Sequence, residues 1–201
     1  LLRYPHRRSL SLHTRITLIT SLSLIVVGMV LFFLTEMRQG SVFGGETSAR
    51  LWLLSFFHSV ASRTSGFVIT ARFGQLAPGN ALLLTVLMFI GASPASTGGG
   101  ITTSTLAVLL LAMWNFARGR SEIRAGRRTI PLEILFKAAA IITGATLVIV
   151  VATWLLLYTQ ENVTLVMALV EAVSAFSTTG FSLGLTPRLN LFGQLLIAGL
   201  M

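Results

Sequence analysis

Cysteine and aspartate are both absent from the 201 residues. Without thiols there is neither a disulfide nor a thiolate metal site. Three histidines leave little material for acid–base or metal chemistry. Charge is scarce as well: 10% of residues carry one, where a soluble domain carries about 25%. With 54% hydrophobic residues and a mean hydropathy of +0.83, this argues for an integral membrane protein. The charge that is present is lopsided, +9 net. The arginines flank apolar runs, the pattern of membrane orientation rather than of a nucleic-acid surface. The basic start leads into a full-length apolar run without a small-residue cleavage site, which argues against a signal peptide. A first residue of Leu1 and an apolar end at Met201 predict a piece of a longer chain.

Residues 1–15 form a basic segment with Arg3, Arg7, Arg8 and Arg15. Residues 16–34 carry no charge and suit one helical crossing of a bilayer, about 30 Å. Residues 51–62 are apolar but too short to cross, which predicts a re-entrant helix. Residues 81–117 contain no charge and are too long for one span. Their centre explains the length: Gly91-Ala92-Ser93-Pro94-Ala95-Ser96-Thr97-Gly98-Gly99-Gly100-Ile101-Thr102-Thr103-Ser104-Thr105. Its glycines, proline and hydroxyl residues predict half-helix, uncharged loop, half-helix. A second basic cluster follows with Arg118, Arg120, Arg124, Arg127 and Arg128, then a span over 134–158 and a short apolar stretch over 163–176.

The sequence repeats itself. Thr64-Ser65-Gly66-Phe67 matches Thr178-Thr179-Gly180-Phe181, and each follows an apolar stretch too short to cross. Each unit crosses the membrane twice, so the copies are parallel. The expected organisation is a basic cytoplasmic segment over 1–15, a span–pore–span repeat over 16–117, a basic loop over 118–133 and a second repeat over 134–201. Ten of the fifteen basic residues lie in 1–15 and 118–137, which marks that side as cytoplasmic. The short helices then enter from outside.

A short helix ending in a hydroxyl-Gly-Phe turn has the layout of a cation filter. The glycine lets the backbone turn its carbonyls toward an axis, where they and the threonine hydroxyls replace water around an alkali cation. The negative helix C-termini favour the same ion. Irregular backbone at membrane depth must be buried in protein or line water.

These residues carry a resemblance. His58-Ser59-Val60-Ala61-Ser62-Arg63-Thr64-Ser65-Gly66-Phe67 is similar to the third-repeat pattern of the Trk/Ktr/HKT superfamily of potassium uptake proteins, Ser-Val-x-Pro-Arg-Thr-Ala-Gly-Phe. The stretch from Phe89 to Ile101 resembles its broken helix, and Glu171-Ala172-Val173-Ser174-Ala175-Phe176-Ser177-Thr178-Thr179-Gly180-Phe181 its fourth repeat. Ser62, Ser65 and Thr102 stand where proline, alanine and lysine are common in that family.

The resemblance implies an all-α integral membrane fold of parallel span–pore-helix–span repeats around a K+-channel-like pore. This chain would supply repeats three and four. It implies a filter of Thr64, Ser65, Gly66, Phe67, Thr178, Thr179, Gly180 and Phe181, whose backbone carbonyls hold K+ as the transported ion, with no cofactor. Residues 91–105, among them Gly91, Ser93, Pro94, Ser96, Thr97, Gly98, Gly99, Gly100, Thr102 and Thr103, become the gate loop. Arg63 and Glu171 are expected to brace the filter, as a pair. The implied partners are membrane lipid, the N-terminal half of the same protein, a second copy in a homodimer and a cytosolic nucleotide-binding regulatory subunit. The setting is a bacterial cell membrane, crossed several times.

Blander readings stand beside these. The 91–105 stretch reads also as a kink or close helix packing, Arg63 as a snorkelling interfacial side chain, His58 as a packed pore-helix residue and the arginine cluster as a topology signal. The competing function is a Na+ or coupled cation secondary transporter with discontinuous helices. Gly91-Ala92-Ser93 superficially resembles a serine protease loop, but a base is needed and His58 is the only histidine outside the N-terminal tail. The chain therefore reads as no enzyme.

Overall fold

The computed structural model describes residues 12–39, 47–63, 65–69, 73–91, 98–119, 124–125 and 128–201. Seven α-helices run through the described residues. Helix α1 spans Leu12–Gln39 and α5 spans Leu132–Thr159, 28 residues each, about 42 Å at 1.5 Å per residue. Both are long and apolar enough to cross a membrane, with mean hydropathies of 2.5 and 2.4 over their best stretches. Leu18, Leu22, Val27 and Leu31 on α1, and Leu147, Val150 and Trp154 on α5, stand exposed. In water these faces would be costly; in lipid they are the expected surface.

Each long helix leads into a short one: α2 at Ser48–Ala61 and α6 at Leu165–Phe176. A 3-10 turn follows, Phe73–Gln75 in the first copy and Thr186–Arg188 in the second, and then another helix, α3 at Pro78–Phe89 and α7 at Leu191–Leu200. The element order thus occurs twice. The first copy adds α4 at Thr103–Ala117. Pro78 suits a first helical turn, where its missing N–H is no loss. Thr164 and Asn190 cap α6 and α7 by accepting from Met167 and Gly193 backbone N–H groups.

Three expectations need correction in detail. The expected 91–105 loop is shorter at its far end, because Thr103 already belongs to α4 and Thr102 caps it. The basic loop contains a two-residue antiparallel pairing, β1 at Arg124–Ala125 with β2 at Arg128–Thr129, and gives way to α5 at Leu132. The helices also outrun the uncharged runs: α1 takes in Arg15 and Arg38 near its ends, long side chains that can carry their charge out of an apolar layer.

Helix α6 is central. It packs on α3, α5 and α7. Ala81, Leu84, Leu87 and Met88 of α3 share one buried cluster with Val170 and Val173, and Ala152 and Leu156 of α5 share another with Ala168, Ala172 and Ala175. The small residues let the helices approach closely.

Candidate functional site

Helix α2 runs back down α1. Trp52 stacks on Phe33 with ring centroids 4.1 Å apart, the Ser59 hydroxyl donates to the Ile25 carbonyl at 2.8 Å, and Arg63 Nη1 donates to the Ser21 carbonyl at 3.0 Å. Gly28 makes room: a Cβ there would lie 2.4 Å from Ser59 Oγ. The C-terminus of α2 therefore ends alongside the middle third of α1. A helix entering from the far end of α1 thus stops at mid-span, where the chain turns.

The turn differs from a helix end in its hydrogen bonds. Ser65 and Gly66 N–H groups both donate to the Ala61 carbonyl at 3.2 Å, and in the second copy Thr179 N–H reaches back five residues to Ser174 at 2.9 Å. Both matched glycines adopt the left-handed region, Gly66 at φ 62° and Gly180 at φ 90°, which only glycine enters without cost. The two turns touch. A Cβ on Gly66 would lie 2.1 Å from the Thr179 carbonyl oxygen and 3.3 Å from Gly180 Cα. Thr64 lies outside the described residues. Of the remaining expected filter residues, Gly66 meets Thr179 and Gly180 across this contact, with Ser65 and Thr178 beside them in the chain, while Phe181 is buried and Phe67 stands exposed.

A stack of three rings joins the copies behind the turns. His58 of α2 stacks on Phe73 at 5.7 Å, and Phe73 on Phe181 at 5.1 Å. His58 is buried there, a packing residue as the blander reading has it. Phe73 was not among the expected residues; only its position after the turn signals it.

Arg63 and Glu171 do not pair. Arg63 goes to the Ser21 carbonyl. The buried Glu171 carboxylate accepts from the Ser182 hydroxyl at 2.8 Å and from the Thr186 hydroxyl. The Ser182 oxygen in turn accepts from Gly184 and Thr186 N–H groups. Each charge holds a different segment: Glu171 ties down the strand after the second turn, and Arg63 ties the first turn to α1. Ser182 and Thr186 were missed because a hydroxyl near a carboxylate in space leaves no spacing signature. A second polar set joins α1 to α3: the half-buried Thr35 donates to Asn80, and the buried Asn80 donates to the buried Glu36.

The break between α3 and α4 closes on itself. Ile101 N–H donates to the Phe89 carbonyl at 3.0 Å. A Cβ on Gly91 would lie 2.1 Å from the Gly99 carbonyl oxygen, and Gly100 is left-handed at φ 82°. Glycine is needed at this neck because the two arms of the loop touch through backbone. The neck rests on the second turn: Gly99 N–H donates to Thr178 Oγ1 at 2.9 Å, and a Cβ on Gly99 would lie 2.6 Å from the Phe176 carbonyl oxygen. Ser93, Pro94, Ser96 and Thr97 lie outside the described residues. Gly91, Gly98, Gly99 and Gly100 bound that gap, and Thr102 and Thr103 open α4.

Comparison with known proteins adds the lineage. The TrkH family, described as cation transport protein, matches residues 1–201. The Ktr system potassium uptake protein B of Vibrio alginolyticus is 39% identical over 183 residues, 90% of this chain and 39% of that protein. The Ktr system potassium uptake protein D of Bacillus subtilis is 38% identical over 195 residues, 97% of this chain and 42% of that protein. The potassium/sodium uptake protein NtpJ of Enterococcus hirae is 32% identical and covers all of this chain and 45% of its own. The chain thus spans about two fifths of the length of these relatives. The crystal structure of the potassium transporter TrkH from Vibrio parahaemolyticus superposes with a TM-score of 0.70 over 94% of this chain and 41% of that one. At 20% identity this likeness speaks to the fold, an all-helical membrane transporter architecture.

Proposed function

The chain belongs to the TrkH family of cation transport proteins, and from that premise we propose that residues 16–117 and 134–201 are the third and fourth span–pore–span repeats of a K+ uptake protein. The N-terminal half of the same protein supplies the other two. The observation that carries this reading is the contact between two left-handed glycines, Gly66 and Gly180, at the ends of two short helices that stop at mid-span. Such turns present carbonyl oxygens to a common axis, and carbonyls in a ring replace the water of a dehydrated alkali cation. The C-terminal ends of α2 and α6 add negative potential at the same place. The membrane potential drives entry, about 2.3 kcal/mol per charge per 100 mV, so transport needs no chemistry from this chain.

The loop between α3 and α4 acts as the gate, a reading supported by its glycine neck, where Gly99 rests on the turn at Thr178. Residues 1–15 and 118–133 face the cytoplasm of a bacterial cell, whose membrane the protein crosses several times. A homodimer and a cytosolic nucleotide-binding subunit complete the assembly. The test is potassium-limited growth of a bacterium lacking its own K+ uptake, expressing the full-length protein or its Gly66→Ser variant. Rescue by the wild type that is lost or turned to Na+ sensitivity in the variant supports the filter. Failure of a well-expressed wild type at every K+ level, with the cytosolic subunit supplied, overturns it in favour of a coupled secondary transporter.

A further inference from the structure

Lys137 is a charge inside an apolar helix that transport itself leaves unused. It lies near the start of α5, about 7.5 Å along the helix axis from Leu132. It is exposed, and among the described residues no carboxylate lies within ion-pair distance, Glu133 one turn before it included. Lys137 lines a groove of about 420 Å³ between α1, α4 and α5, a size that suits a small organic ligand. Ile16 of α1, Val108 of α4 and Ile141 of α5 supply apolar walls, and Ser104 and Thr105 bring hydroxyls. Those two hydroxyls share bonds with Thr102 Oγ1 at 3.0 and 2.8 Å. Two bonds use two of the three hydroxyl protons, so among the described residues one is left to donate. The groove opens beside an exposed apolar stripe on α5, where Ile134, Ile141 and Val148 recur on one face. That stripe is about 21 Å long, more than half of a hydrocarbon core of about 30 Å.

We propose that this groove holds an anionic phospholipid: Lys137 takes its phosphate, and one acyl chain lies along the groove and the stripe beyond it. The assignment follows from complementary chemistry. A cation, a spare hydroxyl proton and apolar walls call for a ligand with acceptor oxygens at one end and hydrocarbon at the other. A phospholipid has both, in its phosphate and esters and in its chains. A net negative headgroup is the one that a lysine near a membrane surface favours. Free phosphate would satisfy Lys137 and leave the groove walls uncovered. A bound lipid joins the two copies, since α1 and α4 belong to the first and α5 to the second. The leaflet it occupies follows from the orientation proposed above; the binding does not depend on it.

The test is lipid retention by the full-length protein, delipidated in detergent and titrated with phosphatidylglycerol or phosphatidylcholine of equal chain length. Native mass spectrometry counts the bound lipids. Wild type should retain one phosphatidylglycerol that Lys137→Gln loses, the affinity falling about tenfold, the effect of one charge-assisted hydrogen bond. Lys137→Arg should keep it. Ile141→Trp fills the groove from an exposed position and should lower retention of that lipid with the lysine intact. Inorganic phosphate at the same concentration should displace nothing. Equal retention in wild type and Lys137→Gln overturns the proposal, and is the result expected where another segment of the protein covers the groove. Displacement by inorganic phosphate, or full retention in Ile141→Trp, makes Lys137 a charge site without a chain in the groove and overturns it too. Thermal midpoints give a second measure: phosphatidylglycerol should raise those of wild type and Lys137→Arg more than that of Lys137→Gln, and equal rises overturn the proposal. Retention needs no ion flux, so its failure leaves the K+ reading standing, and absence of Rb+ flux through the wild type leaves the lipid site standing.

Discussion

Phe67 and Phe181 close two turns with nearly the same letters, yet Phe181 is 1% exposed and Phe67 is 70% exposed. The difference runs through the whole of each copy. Helix α6 is walled by α3, α5 and α7, and from Val170 to Ala175 every residue is buried. Helix α2 leans on α1 and leaves Trp52, Leu53 and Phe56 open. In the ring proposed above, each short helix touches its own long helix and the unit before it. Of the two turns described, the second has the other copy's α3 behind it and the first leans on α1. The lesson is that the local turn is set by local sequence, because Gly66 and Gly180 are both left-handed, whereas the packing behind it is supplied by neighbours. Both copies tie the long helix to the helix after the 3-10 turn through polar groups: Thr35, Glu36 and Asn80 join α1 to α3, and Thr159 and Gln160 at the end of α5 meet Asn190 at the start of α7, beside the apolar contact of Leu156 with Ile197.

The largest test of this contrast is truncation of the two phenylalanines. Phe181→Ala removes a ring sandwiched in the core and should cost about 3–5 kcal/mol. Phe67→Ala in these 201 residues should cost less than about 0.5 kcal/mol, as for an exposed site. Thermal unfolding in detergent measures both. The four-repeat protein proposed above sharpens the comparison: there a cost at Phe67 approaching that at Phe181 is expected if two further repeats cover it. Equal and small costs at both positions would break the account of α6 as the packed centre.

Next in size are the glycines. Gly66→Ala meets both the left-handed penalty of about 1–2 kcal/mol and overpacking against the Thr179 carbonyl, about 1–3 kcal/mol. Gly180→Ala meets only the first, because among the described residues no atom beyond its chain neighbours lies within 4 Å of its Cβ position. We therefore expect K+-limited growth to suffer more from Gly66→Ala than from Gly180→Ala, with Rb+ uptake falling roughly hundredfold against roughly tenfold. The reverse order would mean that the two turns do not approach as described.

How much of this was legible in the letters follows from the range of the forces involved. The two long helices, the two short ones, the break near Gly98-Gly99-Gly100 and the matched glycines are written in local hydrophobicity and backbone permissiveness, and all were readable. The family too was readable, because Ser-Val-Ala-Ser-Arg-Thr-Ser-Gly-Phe and Ser-Thr-Thr-Gly-Phe are specific strings. The partners of side chains were not. Arg63 and Glu171 looked like a pair because opposite charges in a membrane seek one another. In fact a backbone carbonyl and two hydroxyls satisfied them first, at positions 21, 182 and 186. Phe73 and Gly28 escaped notice for the same reason: a ring in a stack and a glycine under a serine are defined by what approaches them, not by their neighbours in sequence. Helix ends were blurred by Arg15 and Arg38, whose long side chains let a helix continue past its uncharged stretch.

The smallest effect concerns how each turn is pinned. The position of α2 aligned with Glu171 is Phe57, so the first turn lacks the carboxylate that the second has at this position. It relies instead on Arg63 and the Ser21 carbonyl. Glu171→Gln keeps one acceptor oxygen and replaces the other with an amide, so one of the two hydroxyl donors must rotate and accept. The net loss is about 1 kcal/mol. Because Ser182 and Thr186 lie just beyond Gly180, the looseness falls on the carbonyls of the fourth turn. K+ over Na+ preference in flux assays should then fall about fivefold while expression stays level. Thr186→Val removes one of the same hydrogen bonds from the other side. If Glu171 acts through that bond, the double variant should cost less than the two single losses added. Unchanged selectivity in both single variants would place the rigidity of the turn in the ring stack of His58, Phe73 and Phe181, leaving the carboxylate to hold only the loop outside it.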